Sequence, residues 1–345
     1  MKYTTIPNTD IKVSKICLGT MTFGEQNSES EAHQQLNYAI EQGVNFMDTA
    51  EMYSVPARKE TQGNSEKYIG SWLKNQKRED LVIATKVTGP NDYFNYLRDN
   101  LGFSKPVILD ALDKSLNRLQ TDYVDLYQLH WPDRNAPMFG QRNYKHNPNE
   151  QWEDNIKEVI ETLDELVKEG KIRHYGVSNE SSWGVMHHLS KSTQNNLTRC
   201  KTIQNPYSLL NRLFEINLAE VAMREKVGLL AYSPMAFGVL SGKYLNGQFP
   251  EKSRIKIFPQ YNRYSSEQST FLTQKYFNLA KELNISLAQL ALAFVNQQPF
   301  VTGNIIGATT MEQLKENIDS IHVELTQETL EEIDRIQELQ PNPAP

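Results

Sequence analysis

The chain has 345 residues, with 36 Lys and Arg against 42 Asp and Glu for a net charge of −6, and 39% of its residues are hydrophobic. That is ample material for a core, and mild acidity without a basic run excludes a nucleic-acid binder. The opening MKYTTIPNTD has no apolar signal-peptide core, the longest mainly apolar stretch (227–242) is too short and broken to span a bilayer, and two distant cysteines, Cys17 and Cys200, point to a reducing cytoplasm rather than a disulfide framework.

A short hairpin is expected over 2–14, followed by a strand at 16–19. In SESEAHQQLNYAIEQGVNFMD, Ala32, Leu36, Ala39 and Ile40 fall on one helical face. Gly43 terminates that helix, and a strand follows at 44–48. LVIATK supplies the next strand, 81–86, and a long loop occupies 87–104. Ile108, Leu112, Leu116 and Leu119 mark a helix leading into a strand at 124–130. After a second long loop, 131–152, the stripe Ile156, Val159, Ile160, Leu163, Leu166 and Val167 ends at Gly170 and a strand fills 172–178. Strands at 202–205 and 228–232, a third long loop over 235–267, a strand at 304–307 and a helix near 326–339 complete the chain.

Strands alternating with helices imply a parallel sheet. Eight such units in one α/β domain over 1–345 imply a closed (β/α)8 TIM barrel with an N-terminal hairpin and long βα loops. A doubly wound open sheet would call for an early glycine-rich phosphate turn, and CLGTMTFG (17–24) is not GxGxxG.

In such a barrel the active site gathers at the C-terminal ends of the strands. The second, third and fourth strands end on Asp48, Lys86 and His130, and Tyr53 lies on the loop after the second. A phenol has a reference pKa near 10, and a nearby ammonium favours its phenolate. A carboxylate would hold that ammonium, and an imidazole would orient a substrate oxygen. No second histidine or cysteine stands at ligand spacing around His130, so no metal is expected. His187 and His188, on a helix, read as satisfied core histidines.

The chain resembles the aldo-keto reductases over essentially its whole length. The likeness is carried by LGTMTFG (18–24), NFMDTAEMY (45–53), IATK (83–86), RLQTDYVDLYQLHWPD (118–133), GVSN (176–179), IQNPYSLLNR (203–212), AYSPMAFGVLSGKY (231–244) and IIGATTMEQLKENI (305–318). Within that family it is most similar to the branch that includes potassium-channel β-subunits. The resemblance implies hydride transfer from NADPH to an aldehyde or ketone, without a metal. Tyr53 would protonate the oxygen, Lys86 paired with Asp48 would tune the phenol, and His130 would orient the carbonyl. An alternative it permits is a cofactor-binding regulatory protein with slow turnover. The family's common state is a monomer, with weak homo-oligomers in this branch.

It also implies a cofactor site. Ser178, Asn179 and Gln204 would hold the nicotinamide amide, Tyr232 would stack on the ring, and Gly19, Thr20, Met21 and Asp48 would lie beside it. Ser233, Pro234, Met235, Ala236, Gly238, Leu240 and Gly242 belong to the loop over the pyrophosphate. Thr309, Gln313, Glu316 and Asn317 match the adenosine end. Gln313 stands where many relatives carry an arginine for the 2′-phosphate, which leaves Lys243 and Arg254 as the cations selecting NADPH. The substrate pocket is expected to be lined by Phe23, Tyr53, His130 and Trp131. The loop SVPARKETQGNSE after Tyr53 is longer than the family's usual turn and should reshape that pocket.

Overall fold

The computed structural model describes residues 1–344. An antiparallel hairpin, β1 (Tyr3–Thr5) and β2 (Lys12–Ser14), precedes eight strands: β3 (Ile16–Gly19), β4 (Phe46–Asp48), β5 (Val82–Val87), β6 (Val124–Leu129), β7 (Ile172–Ser178), β8 (Thr202–Pro206), β9 (Gly228–Tyr232) and β10 (Val301–Ile306). These eight pair in parallel and close into a barrel in the order β10-β3-β4-β5-β6-β7-β8-β9. Helices surround it, which is the (β/α)8 architecture. Closure removes the unpaired edges an open sheet would expose.

Both faces of each strand are covered, so the strands read as apolar runs rather than alternating patterns. Outward residues such as Leu18, Met47, Ile83 and Tyr127 pack under the helices. Inward residues Cys17, Phe46, Ala84, Leu126 and Leu230 meet Ile6, Ile11 and Val13 of the hairpin segment, which plugs one end of the barrel. The helices start where their caps dictate. Ser28 with Glu31 and Ser286 with Gln289 form capping boxes before Glu29–Glu41 and Leu287–Gln297. The terminal helix, Gln327–Leu339, is capped by Thr326. No helix is long and apolar enough to cross a membrane.

The last strand begins three residues before its expected start. Thr302, Gly303 and Asn304 interrupt the apolar pattern, yet all three are buried. A Cβ at Gly303 would come within 3.2 Å of both Phe46 and Leu230, so the glycine makes room for the phenylalanine in the barrel interior. Asn304 Nδ2 donates to Asn296 Oδ1 at 2.9 Å.

The paired histidines separate. His187 stacks on Trp183 at 4.6 Å and bonds Asp154 at 2.8 Å. His188 is buried with its Nδ1 unpartnered, so it is a core residue but not a satisfied one. Burial, and Arg134 after it, push the His188 imidazole down to about 3. Burial also takes His174 down to about 4. Such groups take up a proton on unfolding below about pH 6.5, so the stability they confer is present above that pH and lost as the pH falls toward their folded values. The fully buried His188 is expected to cost about 2 kcal/mol of stability by pH 5, and the partly exposed, solvent-screened His174 less. Urea midpoints between pH 7 and 4.5 should therefore drop steeply, and less so in His188→Leu. Parallel curves for the two proteins would refute the assignment.

Candidate active site

Asp48 closes β4, and the chain beyond it continues alongside β5. Thr49 N–H donates to Ala84 O at 2.9 Å and Glu51 N–H to Lys86 O at 3.2 Å, which carries Tyr53 over the barrel mouth. The long loop behind it is pinned by Val55 N–H on Met21 O at 2.8 Å and Gly63 N–H on Tyr53 O at 2.6 Å. Arg98 and Glu51 form a buried ion pair that anchors the segment after β5.

Lys86 is fully buried, and its Nζ lies 2.6 Å from Asp48 Oδ2 and donates to Thr49 O at 2.7 Å. The other carboxylate oxygen, Oδ1, accepts from Gln204 Nε2 at 2.9 Å and Gln128 Nε2 at 3.2 Å. Lys86 Nζ stands 5.1 Å from the centre of the Tyr53 ring, and the His130 ring lies 5.8 Å from that ring at 75°. The four groups from three strand ends are therefore brought together.

Their proton states differ from the simplest expectation. Burial, and then the charge of Asp48, hold the Tyr53 phenol well above its usual range. Lys86 directs its protons to Asp48 and Thr49 instead of to the phenol. Burial, and then Lys86, hold His130 well below the ordinary imidazole value, so it is neutral. Its Nδ1 is buried without a partner, and Nε2 is the nitrogen left open to the cavity.

The cavity above these groups has a volume of about 620 Å³. Most residues expected around cofactor and substrate line it; Phe23, Lys86, Ala236, Leu240 and Gly242 do not. Lys86 lies behind Asp48. Phe23 is turned into the core by a tight turn in which its N–H donates to Thr20 O at 3.0 Å. Ala236 and Leu240 are core residues, and Gly242 closes a turn at φ 79° against Phe277.

One end of the cavity is apolar. Trp131 is flanked by Phe94 at 5.5 Å and Phe139 at 5.7 Å, with Met52 and Val55 beside them. None of these four was singled out from the sequence, although the long loops carrying Phe94 and Phe139 were. Next to this end, Tyr232 Oη donates to Asn179 Oδ1 at 2.6 Å, and Asn179 Nδ2 to His130 O at 2.9 Å. Ser178 Oγ donates to Gln204 O at 2.8 Å.

The cavity wall is also cationic. Lys243, Lys252, Arg254 and Arg263 line it, and none has a carboxylate partner among the described residues; the nearby ion pair is Lys256 with Glu251 at 3.8 Å. Arg254 and Arg263 both lie over Phe237, at 5.2 and 4.9 Å, and Arg263 Nε is buried without a partner. Burial, and then Arg254, lower the Lys243 ammonium. Lys252 and Arg263 escaped the sequence reading because an irregular loop gives no periodicity to place them. At the helix Met311–Asp319, Gln313 Oε1 accepts from Thr309 N–H at 3.0 Å. Its carbonyl is thus engaged with the loop before the helix. Among the described residues, no three His, Cys, Asp or Glu side chains cluster as metal ligands.

The Aldo/keto reductase family model matches residues 15–338. Protein tas of Escherichia coli K12 is 49% identical over 354 aligned positions, covering 100% of both chains. The uncharacterized oxidoreductase YrpG of Bacillus subtilis is 34% identical over 96% of this chain and 94% of its own. An aldo-keto reductase of Babesia bovis is 37% identical over 69% of this chain and 88% of its own. A barrel with this mouth, matched along nearly its whole length, makes the chain a member of the aldo/keto reductase family and thus an oxidoreductase.

Proposed function

We propose that the protein reduces the carbonyl of a small aldehyde or ketone with NADPH, Tyr53 delivering the proton to the carbonyl oxygen. The observation that carries this reading is one cavity whose wall holds Asp48, Tyr53 and His130, with Lys86 bonded behind Asp48, an apolar group around Trp131 and four cations without carboxylate partners. The residues fit the cofactor: unpartnered Arg263 Nε and the cations call for phosphates, and Tyr232 offers a ring platform. Ser178, Asn179 and Gln204 would hold the nicotinamide amide, Lys243 and Arg254 the 2′-phosphate, and the helix start at Met311 the adenosine end. Reduced nicotinamide, when bound, supplies the hydride to the carbonyl carbon.

The protein's own part is the proton and the field. Neutral His130 donates from Nε2–H to the carbonyl oxygen and fixes its direction. The phenol of Tyr53 is protonated at neutral pH and releases its proton as negative charge develops on that oxygen. Lys86 is placed to offset the resulting phenolate, and Asp48 holds the ammonium in position. Phe94, Trp131 and Phe139 exclude water and favour an apolar or aromatic carbonyl compound. Two buried free thiols, Cys17 and Cys200, suit a reducing cytoplasm.

The test is NADPH and NADH consumption against a panel of aldehydes and ketones. In Lys243→Met and Arg254→Met the Kd for NADPH should rise at least ~10-fold while that for NADH changes little, since a fixed cation discriminates on the extra phosphate. Equal weakening of both cofactors would remove these residues from 2′-phosphate recognition.

A further inference from the structure

Gln128 lies in the barrel interior on β6, two residues before His130, fully buried and off the cavity wall. Its amide is held at both ends. Nε2 donates to Asp48 Oδ1 at 3.2 Å, and Oε1 accepts from Gln204 Nε2 at 3.1 Å. Gln204 Nε2 also donates to Asp48 Oδ1 at 2.9 Å, which closes a triangle of three side chains from β4, β6 and β8.

An amide nitrogen has two hydrogens. Gln204 directs both inward, one to a carboxylate and one to Gln128, so its remaining polar atom on the cavity wall is an acceptor. Turning that amide over would set its oxygen against Asp48 Oδ1 and strand two inward acceptors in a buried site. Gln128 cannot turn to accommodate it, because its own nitrogen is held by the same carboxylate oxygen.

We infer that Gln128 is a positioning residue: it fixes the amide polarity of Gln204, so that the cavity presents an acceptor to a carboxamide N–H, and it simultaneously holds the Asp48 carboxylate that anchors Lys86. Cofactor orientation and proton delivery are thereby coupled through one buried glutamine. This rests on reading the cavity as a nicotinamide site. The ionisable groups facing the position are Asp48 on β4, Lys86 (its register partner on β5), and Cys17 on β3, whose thiol feels both. β7 contributes Gly176 opposite it and β8 the neutral Gln204.

Two full-length variants test this. Gln128→Met keeps the length and removes both bonds; NADPH binding by fluorescence and kcat should each fall about 10-fold at every pH. Gln128→Glu reproduces the bonding pattern only while protonated, donating to Asp48 and accepting from Gln204. Once ionised it puts a second carboxylate against the first. Its binding and kcat should match the wild type at low pH and fall about 10-fold per pH unit above a new ionisation, a limb absent from the wild type and from Gln128→Met. The same protein at low pH serves as its own folding control. A pH-independent loss in Gln128→Glu equal to that in Gln128→Met, or variants within twofold of wild type throughout, would overturn the inference. Wild type that binds NADPH but reduces nothing would sink the reductase reading while the binding arm still decides this one. Wild type that binds no nicotinamide nucleotide would overturn both.

Discussion

Tyr53→Phe is expected to lower kcat for carbonyl reduction by roughly 10²- to 10⁴-fold, the usual worth of a positioned general acid. NADPH binding should survive unchanged. The Tyr53 hydroxyl makes no hydrogen bond to a described residue, and its ring packs among Ala50, Met52, Ala57 and Trp131 in either form. The proton state adds a direction. Because burial and Asp48 hold the phenol well above its usual value, reduction should be flat across neutral pH. Oxidation of the product alcohol needs the phenolate as base, so it should climb with pH over the same range. Turnover within a few-fold of wild type in the variant would assign the proton to another group, and His130 would be the next candidate.

Lys86→Met should show the largest loss of stability. Removing the ammonium leaves Asp48 buried with two neutral amides and no cation, which costs about 3–5 kcal/mol when one partner of a buried pair is deleted. Urea unfolding reads this directly. Adding Asp48→Asn to the same chain should restore much of the loss, because the orphaned charge is gone, while reduction stays low. Unfolding of Lys86→Met within 1 kcal/mol of the wild type would show that the Asp48–Lys86 contact is structurally weak, and the anchoring role of Lys86 would fall with it.

What could be read from the residues alone follows a physical line. The barrel was legible because eight apolar strands, each buried on both faces, alternate with striped helices ended by glycines such as Gly43 and Gly170. Asp48, Lys86 and His130 were legible because a polar residue terminates each apolar run. The start of the final strand was harder: Thr302 and Gly303 look like a loop until Phe46 is seen to need the room the glycine leaves. Phe23 was assigned to the pocket from its motif, but a four-residue turn from Thr20 points it into the core. Lys252 and Arg263 sit on irregular backbone, where no spacing rule predicts which way a side chain faces. Gln128 did leave a signal. A glutamine between Tyr127 and Leu129 in a strand buried on both faces must find partners, and those partners come from strands distant in sequence.

The most direct test of the proposed chemistry is isotope transfer. NADPH deuterated at the transferable position of the nicotinamide ring would be incubated with the wild type and an aromatic aldehyde, and the product alcohol analysed by mass spectrometry and NMR. The prediction is one deuterium on the carbinol carbon, with a slowed rate, and almost none when Tyr53→Phe replaces the wild type. Alcohol formed without deuterium would contradict direct hydride transfer. Deuterated cofactor bound but not consumed by any carbonyl compound would contradict the reductase reading itself.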